Sequence, residues 1–425
     1  MVKSKQDILE RLNARPLVIW GARMTGMGFF RFSKKHDLNV LCFVDSDPAF
    51  ENKKINALSV HSPSHCRDLK RLHPDLVVII AVSIKEEEII KSMYDMGLND
   101  DDFIIYSDYC QSFYTIDVVG TCNLMCPSCA HGVAGEKPLR GMMSFDNFTR
   151  VIDKIIRENE LVTHLSLYSW GEPLLHPRLP DIIKHLHERG IASAVSSNLS
   201  IKSADQIKKV VQANPEFLKI SLSGYYPATY NETHTGGDIN LVKSNLYRLR
   251  HYIDKYNADT FVDVNYHLYR NNNAKNLQKM QDLCNELGFS LSATYSLIMP
   301  LERCLDYCDG ISDPQTKALQ DLLLVNIDEG LEVTKEFRSN TCPFKDNQTN
   351  INWDLSVPVC CTVFSRPGTI VSPNYLKTPF EEIKQGKNNV EICTQCIKTG
   401  LPAYNMGFNQ AGWKQVAATK TSLDT

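Results

Sequence analysis

Cys122, Cys126 and Cys129 stand in VVGTCNLMCPSCAHG at a three-then-two spacing, directly after FYTIDVVG, an apolar β-branched run that reads as a buried strand. Three thiols gathered behind one strand point to metal chemistry. A structural zinc takes four ligands, and these three have no obvious fourth beside them. Iron–sulfur clusters are held by cysteine thiolates, and a four-iron cluster with three protein ligands keeps one iron open for a substrate or cosubstrate. A second set lies downstream: Cys342, the adjacent pair Cys360 and Cys361, and Cys393 and Cys396 in EICTQC. One of the pair with the other three makes four ligands. Alternation along a strand turns one of the pair inward; Cys360 is taken as the ligand, and Cys361 stays open as the alternative. A zinc held by four cysteines has the same spacing as a fully ligated four-iron cluster.

The chain has 14 cysteines in 425 residues. Disulfide scaffolds belong to short secreted chains, so ligation accounts better for the clustered ones. Cys42, Cys66, Cys110 and Cys284 lie mostly in apolar-patterned segments and read as small buried hydrophobes. Cys304 and Cys308 in RCLDYC sit one helical turn apart and read the same way. With 46 basic and 49 acidic residues the net charge is -3, which does not suggest a nucleic-acid partner. MVKSKQDILERLNARP lacks an apolar signal core and no run of about 20 apolar residues follows, so no membrane association and a cytoplasmic location are expected.

The elements that must position these residues read as an α/β fold in three parts. Residues 1–110 alternate β-branched strands (PLVIWGA, NVLCFVDSD, LVVIIAVS, FIIYSD) with helices, the pattern of a Rossmann-like domain. Its first turn carries Arg23 where a dinucleotide fingerprint wants glycine; a phosphate at the helix N-terminus with Asp45 near a ribose, and a merely tight turn, both stay open. Residues 111–300 hold six strand–helix units, too few to close a full barrel, so a partial (β/α)6 barrel is expected with its chemistry at the C-terminal strand ends. Residues 301–405 lose periodicity and gain cysteine, which calls for a metal centre, and 406–425 read as a flexible tail.

CxxxCxxC after the first strand of a partial barrel resembles the signature of radical S-adenosylmethionine (SAM) enzymes. Trp170-Gly171-Glu172-Pro173-Leu174-Leu175-His176-Pro177 resembles the family's GGEP-type motif after the second strand, and GYYPATYNETHTGGD resembles a pattern usual in SPASM-type members. The resemblance covers about 112–400. It implies a 4Fe–4S cluster on Cys122, Cys126 and Cys129 that binds SAM, cleavage of SAM by one electron, and hydrogen abstraction by a 5'-deoxyadenosyl radical. It further implies SAM contacts at Gly171, Glu172, Pro173, Ser197, Asn198, Ser221 and Ser223, and an electron donor such as flavodoxin or ferredoxin. Ser128 departs from the family, where an aromatic residue packs near adenine, so another residue must finish that pocket. The C-terminal set resembles the single-cluster SPASM/twitch extension, which implies one auxiliary 4Fe–4S cluster on Cys342, Cys360, Cys393 and Cys396. The first domain loosely resembles the N-terminal domain of some sugar acyltransferases.

A small-molecule substrate of nucleotide-sugar or phosphorylated-sugar type is therefore expected, with oxidation, epimerisation or dehydration as the net reaction. Tyr266, His267, Tyr269 and Arg270 near the fifth strand end are candidates to line its cavity, against an equal expectation of core or surface roles. Peptide maturation, as in many SPASM relatives, is the competing enzyme reading. A zinc-stabilised binding protein is the reading from another class.

Overall fold

The computed structural model describes residues 3–133, 140–311, 313–364 and 367–421. The N-terminal β-branched runs form one sheet from β1 (Leu17–Trp20), β2 (Val40–Val44), β3 (Lys54–Ile55), β4 (Leu58–His61), β5 (Val77–Ile80) and β6 (Phe103–Ile105), in the order β3-β4-β2-β1-β5-β6. All pairs are parallel except the short β3–β4 hairpin. Both faces of β1 and β5 are buried, as an unbroken apolar run requires.

The second sheet contains β7 (Phe113–Ile116), β8 (His164–Ser166), β9 (Ala192–Ser197), β10 (Phe217–Leu222), β11 (Phe261–Leu268) and β12 (Ser290–Tyr295), parallel and adjacent in chain order. A seventh strand, β13 (Gln348–Ile351), pairs in parallel with β7 and covers that edge. It comes from the region without sequence periodicity. Helices Phe145–Glu158, Leu179–Glu188, Ala204–Ala213, Ile239–Tyr256 and Lys275–Leu287 pack their apolar stripes on the outer face, against Ile116, Leu165, Val195, Ile220 and Val264.

The inner face is closed by the first domain. Its helix Met24–Lys35 lies across β8 and β9, and Gly28 is the contact point: a Cβ there would stand 2.7 Å from the Cβ of His164. A side chain would push the helix off the barrel. Phe50 stacks on Phe261 at 5.5 Å, and Phe261 on Phe217 at 6.2 Å. Each such pair adds about 0.5–1.5 kcal/mol beyond area burial. Arg31 bonds Glu216 at 2.6 Å, and Ser290 donates to the Ala49 carbonyl at 3.2 Å. Gly28 therefore serves close packing on the barrel, while Gly21 of the turn meets Ala81 within its own domain.

The C-terminal part is mostly short helices with one hairpin, β14 (Val357–Pro358) and β15 (Ile370–Ser372). The expected flexible tail does not hold for residues 410–421. Gln410–Thr421 is a helix whose Trp413, 1 % exposed, stacks on Tyr404 at 5.5 Å. One buried tryptophan anchors a segment that is otherwise poor in apolar residues. No described helix is long and apolar enough to cross a membrane.

Candidate functional site

The loop after β7 carries Cys122, Cys126 and Cys129, all part-buried. It is wound by the Cys129 N–H to Cys126 carbonyl bond and the Gly132 N–H to Cys129 carbonyl bond, both 3.0 Å. The Leu124 N–H and the Asn198 side-chain amide donate to Cys122 Sγ at 3.4 and 3.7 Å. Burial pushes the Cys122 thiol up to about 12, with Glu172 adding to it, and burial and the neighbouring thiols raise Cys126 likewise. Three thiolates there need a positive centre between them. The donor set, three cysteine thiols on one loop, fits an iron–sulfur cluster in its chemistry.

The WGEP turn sits against this loop. Gly171 is required there, because a Cβ would lie 1.4 Å from the Val119 carbonyl oxygen. Asp117, which sequence reasoning missed, accepts the N–H groups of Trp170 and Gly171 at 3.3 and 3.4 Å. Burial lifts it to about 7 against those bonds. Glu172 is also buried and lifted to about 7 by burial; its carboxylate accepts the N–H groups of Leu174 and Asn198 at 2.9 and 2.7 Å. It ties the end of β8 to the end of β9. Pro173 is buried in the same turn and begins a short 3-10 helix.

Strand alternation sorts the serines. Ser197 lies on the outer face, where its hydroxyl accepts the Leu199 N–H at 2.9 Å; the inward position belongs to Ser196, which meets Ser221 at 3.3 Å. Ser223 is fully buried and bonded to His234 at 2.8 Å, so it supports the strand end from behind. Asn198 and Ser221 keep exposed surface on the cavity side. Sequence reasoning had placed Ser197 one residue off the inward register.

Of the cavity candidates, Tyr266 faces the outer core and donates to the Asn272 carbonyl, and Arg270 reaches the Asp321 carbonyl outside the barrel. His267 points inward, bonded to Asn265 at 3.0 Å. Tyr269 reaches back to the cysteine loop, its hydroxyl 3.1 Å from Ser128 Oγ. The loop is also held by Arg303, unforeseen from sequence, which donates to the Pro127 carbonyl at 2.7 Å.

Between this loop and the first domain lies a polar chamber. Ser196, Lys219 and Asp263 stand in one register row across β9, β10 and β11, and Ser221 and Asn265 in the next. Ser196, Lys219, Ser221 and His267 retain surface although they sit on interior strands. The chamber floor is Arg23 and Met24: Ser166 and Tyr168 donate to Met24 Sδ at 3.1 and 3.7 Å, and Arg23 pairs with Asp47 over the Phe50 ring. Lys219 lies over the Tyr168 ring at 4.9 Å; burial raises the neighbouring Asp263 carboxyl, and the charges of Arg23 and Lys219 oppose that rise. Asp263 accepts from Ser292 through Oδ2 at 2.7 Å, while its buried Oδ1 has no partner.

In the C-terminal part, Cys342, Cys360, Cys393 and Cys396 line one small cavity, with Thr362 beside Cys360 at 3.1 Å. Cys361 is not among the residues lining it. Cys304 is fully buried and donates to the Ile298 carbonyl at 3.1 Å.

Residues 116–284 match the family model described as "Radical SAM superfamily". This stretch of the chain is a radical SAM domain. Enzymes of this superfamily work with SAM and a 4Fe–4S cluster. The cofactor-modifying protein for tungsten-containing aldehyde ferredoxin oxidoreductase from Pyrococcus furiosus is 24% identical over 107 residues, 25% of this chain and 29% of that protein. A GTP 3',8-cyclase from Limosilactobacillus fermentum is 26% identical over 151 residues, 32% and 42% of the two chains. The chain thus spans less than half the length of either relative. Solved structures with a similar arrangement include native anSMEcpe with bound AdoMet (TM-score 0.45, 14% identity, 73% of this chain and 99% of that one) and Streptococcus suis SuiB bound to S-adenosylmethionine (0.46, 13%, 72% and 77%).

Proposed function

We propose that this enzyme abstracts a hydrogen atom from a hydroxyl-rich small molecule of sugar type, held in the chamber between the barrel and the N-terminal domain. In this reading Cys122, Cys126 and Cys129 hold the SAM-binding cluster, and Cys342, Cys360, Cys393 and Cys396 hold an auxiliary one. When bound, the first cluster and SAM supply one-electron cleavage and a 5'-deoxyadenosyl radical. The observation that carries the substrate reading is the polar row on the inner face: Lys219 offers N–H to a substrate oxygen, and Asp263 Oδ1, buried without a hydrogen-bond partner, accepts a hydroxyl. A buried polar atom left without a partner is costly, so Asp263 Oδ1 favours a ligand that satisfies it. The Asn265–His267 pair supports a second hydroxyl contact. Met24 and Phe50 shut the floor against water. Asn198 and Ser221 face the space where SAM belongs, Tyr269 replaces the aromatic residue missing at Ser128, and Gly171, Glu172 and Pro173 shape the turn beneath it. The auxiliary cluster suits a net oxidation, in which the substrate radical gives up a second electron. A flavodoxin or ferredoxin supplies the first electron, in keeping with a cytoplasmic location. The test is 5'-deoxyadenosine release with sugar phosphates, nucleoside diphosphate sugars and peptides. Stimulation by a sugar supports the reading, and stimulation by peptides alone moves it to maturation.

A further inference from the structure

Cys42, read from sequence as a small core residue, stands beside two histidines. β2 and β4 run in parallel with Val44 opposite His61, so Cys42, Val44 and His61 share one face of the sheet. The helix His65–Leu72 begins on that same face, and its first residue brings a second imidazole. The rings of His61 and His65 stack with centroids 4.1 Å apart. The thiol of Cys42 and one nitrogen from each ring all lie within 4.8 Å of one another, and among the described residues no other group of three or more cysteines, histidines and carboxylates converges in this way. Cys42 is buried and the two histidines are part-exposed, so the convergence is open on the histidine side.

We infer that Cys42, His61 and His65 form a mononuclear zinc site in the N-terminal domain, separate from both cysteine clusters. One thiolate and two imidazoles are a borderline-soft donor set that suits zinc, and three protein ligands leave a fourth position for water on the open side. The three ligands come from two strands and a helix start, so the ion pins the helix to the sheet edge. This inference does not rest on the reading of the barrel. The experiment is zinc and iron content of the full chain, purified anaerobically from zinc-supplemented medium, for wild type, His65→Ala and His61→Ala. Both histidines are part-exposed, so neither change opens the core. The expected result is about one zinc per wild-type chain, falling at least about tenfold in either variant while iron is unchanged. Zinc below about a tenth per wild-type chain, or zinc retained in both variants, overturns the site.

Discussion

The Tyr269 hydroxyl stands 3.1 Å from Ser128 Oγ, joining the end of β11 to the loop that carries the three cysteines. The Met299 N–H donates to the Ser128 carbonyl at 3.1 Å from the other side. Ser128 is thus held from two sides, and the buried Tyr269 ring braces the loop. Tyr269→Phe keeps the ring and removes one hydrogen bond worth about 1 kcal/mol, so SAM affinity is expected to fall about fivefold. Tyr269→Ala removes the ring and is expected to weaken SAM far more. Equilibrium binding of SAM to the reconstituted protein checks both.

Cys360 lines the four-cysteine cavity and Cys361 does not. Cys360→Ala is expected to lower iron by about four per chain, and Cys361→Ala to leave it unchanged. Iron and sulfide analysis of the two variants decides between neighbours that sequence left open.

Lys219→Met keeps the length of the side chain and removes the chamber's cationic donor. Turnover with substrate is expected to drop by about tenfold to a hundredfold, as for a lost charged hydrogen bond of about 1.5–3 kcal/mol, while slow SAM cleavage without substrate continues. Measuring 5'-deoxyadenosine with and without substrate separates the two effects.

His164 is buried on β8 under the N-terminal helix, and burial lowers it to about 4 from an ordinary value of 6.5. The folded protein keeps it neutral while the unfolded chain takes up a proton below 6.5. Its stabilising contribution is therefore whole above pH 6.5, declines as pH falls, and is about 2 kcal/mol smaller at pH 5. Asp117 and Glu172, raised to about 7, act with the opposite sign between pH 7 and their unfolded values near 4. Wild type alone would blur these effects. His164→Leu, compared with wild type by denaturant unfolding at pH 7 and pH 5, is expected to lose about 2 kcal/mol less on acidification.

The sequence exposed the parts that local pattern controls. β-branched runs between helices marked both parallel sheets, spacing singled out Cys122, Cys126 and Cys129, and resemblance to a family motif singled out the WGEP turn. Three features depend on tertiary contact and were not legible. β13 is four residues long and gains its place by pairing with β7. Trp413 orders its helix through Tyr404, which no periodicity signals. The chamber floor arises because Gly28 lets one domain press on another, a relation between segments over a hundred residues apart. Ser196 and Ser197 show the finer limit: an error of one residue in strand register turns a side chain to the opposite face. Asp117 was concealed for a different reason, since a lone aspartate after a strand carries no motif.

The central claim is that three cysteines on one loop hold a cluster that works on SAM. Iron, sulfide and 5'-deoxyadenosine release should be measured on anaerobically purified wild type and on the variant with Cys122, Cys126 and Cys129 all changed to Ala. About eight irons per chain falling to about four, with SAM cleavage lost, is the expected result. Iron unchanged by the triple substitution, or SAM cleavage that survives it, would contradict the account.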